Sequence, residues 1–412
     1  MDKLSQEALE SIIAGHQKYI KGMRGGVRAV IKFKDLSGVV IKGRDMSNSD
    51  FSGCIFDDAD LSGSNFTASS FFACDLKRTN MAHGNFSKCD FRGACIVNAN
   101  LTEANMERTD MRQGVLMSYA ESGMRSGWGK GGNTTLQGST VRNTDLSGVK
   151  AVSCNFSDSN MEGIIIHDAE LRGSNFKGAN MAGSDLTGSN LSGADMTDVV
   201  VDNMKLVAVV GDQSQLRELI RIQNERKTLE SDGTDMKTLV AAHTKWIDTA
   251  GKEGKQLNLS EYDVSGETEL RKYPLTVIKA EGSKFTGLFL EGVKMESSVL
   301  DRADFRDCKA KGADFRGSSF KDAAFTRADF SNSNFSALKV KRPDGSEILQ
   351  SVDLSGSKMA FAKLDGTNFA HANLSGVDFS HASLRGCNFK DCNLEGAVFD
   401  GADLDEGALA VG

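Results

Sequence analysis

Proline is almost absent from this chain: two residues in 412, beside two tryptophans, four tyrosines and six histidines. Proline cannot donate to a backbone ladder, so a chain nearly free of it can hydrogen-bond along most of its length. The two that occur stand where a ladder starts or stops, Pro274 ahead of a second block of repeats and Pro343 in a turn. No apolar run approaches the roughly 20 residues of a helical membrane span. Met1 to Glu10 is mixed in charge and lacks the apolar core of a signal peptide. These absences predict a protein without membrane association, in the cytoplasm. Neither sign of charge prevails either: 49 Lys and Arg face 56 Asp and Glu, and the net charge of −7 argues against direct nucleic-acid binding.

What is present is a period. From Leu36 to Leu116 every fifth residue is large and apolar, including Met46, Phe51, Phe56, Leu61, Phe66, Phe71, Leu76 and Met81. Two places before each, from Cys54 onward, stands a small residue, as in Ala59, Ser64, Ser69, Cys74 and Thr79. A polar residue, most often Asp or Asn, lies between small and large, and a Gly or short residue often follows two places after the large one; Gly totals 43. A period of five is neither 3.6 nor 2, so neither a helix nor a flat strand can bury it. Each unit must stack on copies of itself. The simplest solution is a square coil with one unit per side. The large centre residue and the small one point into the shaft and the rest point out. Four units make a coil of about twenty residues, stacked at roughly 4.8 Å.

The units Ala59-Asp60-Leu61-Ser62-Gly63, Ala179-Asn180-Met181-Ala182-Gly183, Ala194-Asp195-Met196 and Ala402-Asp403-Leu404 resemble the pentapeptide-repeat family. The resemblance covers about three quarters of the chain. It implies an all-β solenoid, a right-handed quadrilateral β-helix. It implies no activity, because that family shares no catalytic residues. Some of its members are dimers that imitate duplex DNA and bind type II topoisomerases, with loops projecting from the column.

The chain divides into four parts. Residues 1–29 hold an N-terminal capping helix, with an apolar face of Leu4, Ala8, Ile12, Ile13 and Ile20 over 3–21, stopped by Gly25-Gly26. Residues 30–210 form a first column of some eight or nine coils, about 40 Å long. Within it the period fails between 117 and 135 and returns in register at Leu136, one full coil after Leu116. Either a loop leaves the shaft and comes back above its departure point, or one irregular coil is retained; the loop is the favoured reading. Residues 211–256 form a helical linker and cap, with a charged helix over 213–230 (Leu216, Leu219, Ile220 and Leu229 on its apolar side) and a second over 235–249. Residues 257–412 form a second column, interrupted at 267–273 and by a hairpin at 340–351 around Arg342-Pro343-Asp344-Gly345. Leu9, Ile12, Ile13, His16, Tyr19 and Ile20 match Met236, Leu239, Val240, His243, Trp246 and Ile247 at identical spacing, so the chain reads as a tandem duplication of helix and column.

The repeat accounts for most residues that would otherwise suggest chemistry. Carboxylates recur in rows facing solvent, so no pair stands out as acid and base. Seven of the eight cysteines fall on the small inward position, where Cys replaces Ala or Ser as a small buried apolar residue; Cys95 lies beside it. His16, Tyr19, His243 and Trp246 belong to the helix caps. His83, His167, His371 and His381 are outward or corner residues, and His371 and His381 fall on opposite sides of the square, excluding a shared metal. The glycine run at 127–132 lacks the Lys-Ser/Thr ending of a phosphate loop. No catalytic residue, metal or cofactor is expected.

Interaction surface is what remains. Met124, Arg125, Trp128 and Lys130 combine an aromatic with cations on a protrusion, the composition of an interface anchor, unless Trp128 folds back on the column wall. Lys341 and Arg342 of the hairpin are a second candidate, with a solvated turn as the plain reading. The sequence therefore predicts a non-enzymatic protein-binding scaffold with an unknown protein partner. The alternative is a DNA-mimicking binder of a type II topoisomerase such as DNA gyrase, which would require a stronger negative face than these balanced charges supply. The last coil, Phe389 to Leu409, has no closing helix and points to a homodimer joined end to end.

Overall fold

The computed structural model describes residues 1–114, 132–225, 227–341 and 345–409. Its repeating element is a corner. In the unit around Phe56 the carbonyl of Phe56 accepts the N–H of Ala59 at 3.0 Å, and Asp58 has φ +60°. A positive φ at the third residue of a four-residue turn is the type II geometry. The same position carries Gly63, Gly93 or Gly183 elsewhere and short or polar residues in many units. Between corners the polar residue pairs in parallel with its counterpart twenty residues on, as Asp60 does with Asn80 and Asn80 with Asn100. The centre N–H donates to the next coil and the polar residue's N–H to the previous one: Phe56 N to Asp75 O at 2.6 Å, Asp75 N to Cys54 O at 3.0 Å. Four such sides close one coil.

The centre residues fill the shaft. Every one from Leu36 to Met111 and from Leu136 to Leu191 is fully buried. Phenylalanines of successive coils stack nearly parallel, Phe71 on Phe91 at 5.0 Å and Phe285 on Phe305 at 4.6 Å. Such stacks add to the area they bury. The small position does more than make room. Thr79 Oγ1 donates to Phe56 O at 2.9 Å, Ser69 Oγ to Met46 O at 2.9 Å, Ser318 Oγ to Met295 O at 2.7 Å and Cys89 Sγ to Phe66 O at 2.9 Å. Cysteine here replaces serine as a donor, which corrects the reading of it as an apolar stand-in. The rows of Asp and Asn are not idle either. Asp60 Oδ1 accepts the Ser62 N–H at 3.0 Å, closing the corner, and receives Asn80 Nδ2 from the next coil at 3.0 Å. A short carboxylate or carboxamide satisfies the backbone two residues on, the Asx turn. These side chains are part of the wall rather than a solvated fringe.

The chain forms two compact units, Met1–Asn224 and Glu225–Gly412. In the first, Lys3 pairs with Asp35, and α1 (Gln6–Ile20), N-capped by Ser5, covers the start of the column with Leu9 and Ile13. Gln6 holds the open edge by both ends of its carboxamide, Nε2 to Val40 O and Val40 N to Oε1, each 2.9 Å. That is the two-point pairing a neighbouring coil would supply. At the far end α2 (Gln213–Asn224) buries Leu216 and Leu219 against the last coil. It is shorter than the expected 213–230. Leu229 belongs to the core of the second unit, and Thr228 and Ser231 tie a turn ending at Gly233, φ +67°. The stretch 211–256 is therefore divided: α2 closes one column, and α3 (Met236–Asp248) opens the other.

The first coil of the second unit has one residue more than the usual twenty: Asn258 pairs with Lys279 and Asp263 with Lys284, twenty-one residues on. The surplus falls at the expected interruption, where a 3-10 turn, Leu270–Lys272, keeps Leu270 and Leu275 buried in the shaft. The hairpin begins earlier than expected. Strand β1 (Leu338–Lys341) pairs antiparallel with β2 (Glu347–Gln350), and Gln350 Nε2 bonds Gly317 O on the column wall at 2.5 Å. The ladder steps over it, from Ser319 to Asp353.

Candidate interaction surface

The two cap helices carry the same device. His16 accepts the Ala29 N–H on Nδ1 at 3.0 Å, and its Nε2 lies 3.1 Å from Ser47 O and 3.2 Å from Ser49 Oγ. His243 accepts the Leu257 N–H on Nδ1 at 3.0 Å and donates from Nε2 to Thr276 O at 3.0 Å. Both rings are fully buried, and each is flanked by an aromatic stacked upon it, Tyr19 at 5.6 Å and Trp246 at 5.8 Å. Acceptance on Nδ1 requires the neutral ring with its proton on Nε2. Burial pushes both imidazoles below their usual pKa, more than the carbonyl partners raise them. Beyond each helix a glycine lets the chain return across it: a Cβ on Gly26 would lie 2.3 Å from Tyr19 N, and one on Gly254 2.2 Å from Ala242 O. His16 and His243 thus bond backbone groups at the start of each column, with Tyr19 and Trp246 stacked on them.

Among the described residues the ladder steps over an insertion at two places. In the first column the ladder passes directly from Cys95 to Thr135, Asn100 to Thr140, Asn105 to Asp145 and Asp110 to Lys150, forty residues each. No coil stands between the two. Gly114 N donates to Gly132 O at 3.3 Å, so the chain departs and returns at one point. Thr134 Oγ1 rivets the returning strand by donating to Phe91 O at 2.9 Å. Met124, Arg125, Trp128 and Lys130 lie outside the described residues. At the hairpin, Lys339 and Lys341 are exposed on β1, and Arg342 lies outside the described residues.

Beside Gly114 a cleft of about 480 Å³ is lined by Arg92, Arg112, Gln113, Asn133, Val152, Ser153 and Arg172. The three arginines occupy the same corner position on one face, in coils joined by the ladder Asp90–Asp110–Lys150–Glu170. Arg92 grips Asp90 through Nε at 2.9 Å and Nη2 at 2.8 Å; Arg112 grips Asp110 through the same atoms at 2.9 and 2.6 Å. Arg172 Nε lies 3.2 Å from Glu170 Oε2. Burial alone would raise the Asp110 carboxyl, but Arg112 holds it below the usual carboxylate value. The guanidinium of Arg92 lies 5.3 Å over the Phe72 ring. The sequence reading passed over these arginines. Their signal is there once residues 96–115 and 136–155 are written as successive rows, which requires knowing that twenty residues drop out of the coil.

Among the described residues no group of three or more His, Cys, Asp or Glu side chains is placed to hold a metal. Burial raises the thiols, Cys95 to about 11 and Cys89 and Cys387 to about 12, the opposite of a nucleophile. No helix among the described residues is long and apolar enough to cross a membrane.

The family model for pentapeptide repeats matches in eight copies, over 35–71, 69–108, 132–168, 164–201, 298–336, 348–386 and 372–406, more than half of the chain. No curated protein matches. Solved structures similar to the chain include trypsin-treated QnrB1, described as a plasmid-mediated fluoroquinolone resistance protein, at 15% identity over 48% of this chain and 96% of that one, TM-score 0.32. A pentapeptide repeat protein of the Arabidopsis thaliana thylakoid lumen is 28% identical over 28% of this chain and 66% of its own, TM-score 0.23. HetL of the cyanobacterium Nostoc, a pentapeptide repeat protein involved in heterocyst differentiation regulation, is 16% identical over 94% of this chain and 92% of its own, TM-score 0.11.

Proposed function

The chain belongs to the pentapeptide-repeat family, and we propose that it is a non-enzymatic, cytoplasmic scaffold that binds a protein partner through segments carried on two right-handed quadrilateral columns. The observation behind this reading is how the fold uses its polar groups. The small residue's hydroxyl bonds a carbonyl in the coil below, and the Asp or Asn closes a corner, as Thr79 and Asp60 do. Little repeat chemistry is left over for catalysis. The segment between Gly114 and Gly132, with Met124, Arg125, Trp128 and Lys130, is the part of the chain that the ladder bypasses. An aromatic with neighbouring cations there has the composition of an interface anchor. The hairpin with Lys341 and Arg342 is a second, smaller contact. Self-association through the coil Phe389 to Leu409 is part of the same proposal, since Leu394, Phe399 and Leu404 are only half-buried and Leu409 is exposed.

The topoisomerase alternative asks for an unbroken negative row. The face carrying Asp35, Asp57, Asp58, Asp75, Asp158, Asp195 and Asp198 is interrupted by Lys77, Arg78 and Lys177, so it receives less support. Affinity capture tests the scaffold reading, with the tagged chain compared with Trp128→Ala and with a variant whose residues 115–131 are replaced by a three-residue Gly-Ser linker. Partners recovered by the native chain should be lost from both variants. Equal recovery by all three contradicts the role of the segment.

A further inference from the structure

The arginine cleft is not explained by the column. A repeat unit needs only a short residue after its centre, and the corners at Ser52, Ser62 and Ser192 supply one. On this face the chain instead places Arg92, Arg112 and Arg172, with side chains 41%, 50% and 57% exposed. Gly93 and Gly173, beside two of them, and Ser153, in the coil between Arg112 and Arg172, have little or no side chain, while Gln113 follows Arg112 and lines the same cleft. The carboxylates Asp90, Asp110 and Glu170 orient the guanidinium groups but do not exhaust them. Among the described residues no hydrogen bond occupies Nη1 of Arg92 or Arg112, and Arg172 is met only at Nε. Lys150, exposed in the same ladder between Asp110 and Glu170, adds a cation with no ion pair among the described residues.

We propose that this cleft binds an extended acidic peptide segment of a protein partner, its carboxylates taken by the outer edges of Arg92, Arg112 and Arg172. The proposal deepens the scaffold reading and rests on it. Length agrees: Arg92 to Arg172 is three coil steps of ~4.8 Å, about 14 Å, and an extended peptide covers that in about four residues at ~3.3 Å each. The arginines are one and then two coil steps apart, so acidic residues at the two ends of the segment meet Arg92 and Arg172, and one between them reaches Arg112. Val152, half-buried between the second and third, gives the intervening backbone an apolar seat. A planar carboxylate suits the guanidinium fork, which is already fixed by its own aspartate. A nucleic-acid strand is the poorer occupant for a chain whose net charge is −7.

Fluorescence anisotropy of a fluorescein-labelled peptide with a Glu-Ser-Glu-Ser-Glu core, titrated with the full chain, tests this. Saturable binding is expected, lost with the Gln-Ser-Gln-Ser-Gln peptide, weakened by added salt, and reduced about tenfold or more when Arg112→Gln and Arg172→Gln are combined. Val152→Glu keeps all three arginines and blocks the groove, so it should have a similar effect and covers the case in which the double variant fails to fold. No saturable binding, or binding unchanged by these substitutions, overturns the proposal. So does an oligothymidylate that displaces the peptide at lower concentration, which would assign the cleft to nucleic acid. Loss of the peptide with partner capture through residues 115–131 retained removes this inference and leaves the scaffold reading standing.

Discussion

At the scale of single residues, the small inward position separates two roles that composition alone merges. It must be small to let the next corner close, and at Thr79, Ser69, Ser318 and Cys89 it also donates to a carbonyl one coil below, whereas Ser159 and Ser184 donate to the centre carbonyl of their own unit. Thr79→Val keeps the volume and removes the donor to Phe56 O. Because that carbonyl still holds the Ala59 N–H, the cost should be about 1 kcal/mol in urea unfolding; a neutral result would mean that only size matters there. The cysteines follow from the same position. With the described thiols raised by burial, a disulfide reagent at pH 8 should label the folded chain very slowly and all eight cysteines after denaturation. Val277 is the exception that the corner geometry exposes: a β-branched residue at φ +59°, where Gly, Asn or Asp is usual. Val277→Gly should stabilise the second unit by about 1 kcal/mol, read as a raised urea midpoint.

Elements show where sequence patterning runs out. The apolar spacing of the cap helices located α1 and α3 to within a few residues, because a buried stripe recurs every three to four positions. It overextended α2, since Leu229 has the right spacing for a helix face but is drawn into the next unit's core. The paired histidines were legible as helix residues; their work, bonding two backbone groups of the first coil, was not, because their partners Ser47 and Thr276 are more than thirty residues away. His243→Ala leaves the Leu257 N–H and the Thr276 carbonyl without partners, at an expected cost of about 2 kcal/mol. It should speed amide exchange over 257–279 more than in the first column. Acidification should have the same local effect at both caps. Each buried imidazole binds its proton less readily than the unfolded one, which titrates near ~6.5. The stabilisation is therefore complete above that pH and declines as pH falls below it. Exchange at 29–50 and 257–279 that is no faster at pH 5.5 than at 7.5, after correction for the intrinsic rate, would contradict this.

For the molecule as a whole, the five-residue period carried most of the information. Shaft, coil length and the two blocks follow from it, because stacking copies of one unit leaves few other ways to bury every fifth residue. The interaction surface was only partly legible. The interruption at 117–135 was visible as a failure of the period, whereas the arginine row depends on which coils become neighbours, and that is set by the forty-residue step from Cys95 to Thr135. That step also exposes the central claim to its plainest test, the urea-unfolding free energy of the chain with residues 115–131 replaced by a Gly-Ser-Gly linker. Gly114 and Gly132 are hydrogen-bonded neighbours, so a short linker spans them. A column that is complete without the segment should gain on the order of 1 kcal/mol from the shorter loop; a loss of several kcal/mol would mean that those residues belong to its core.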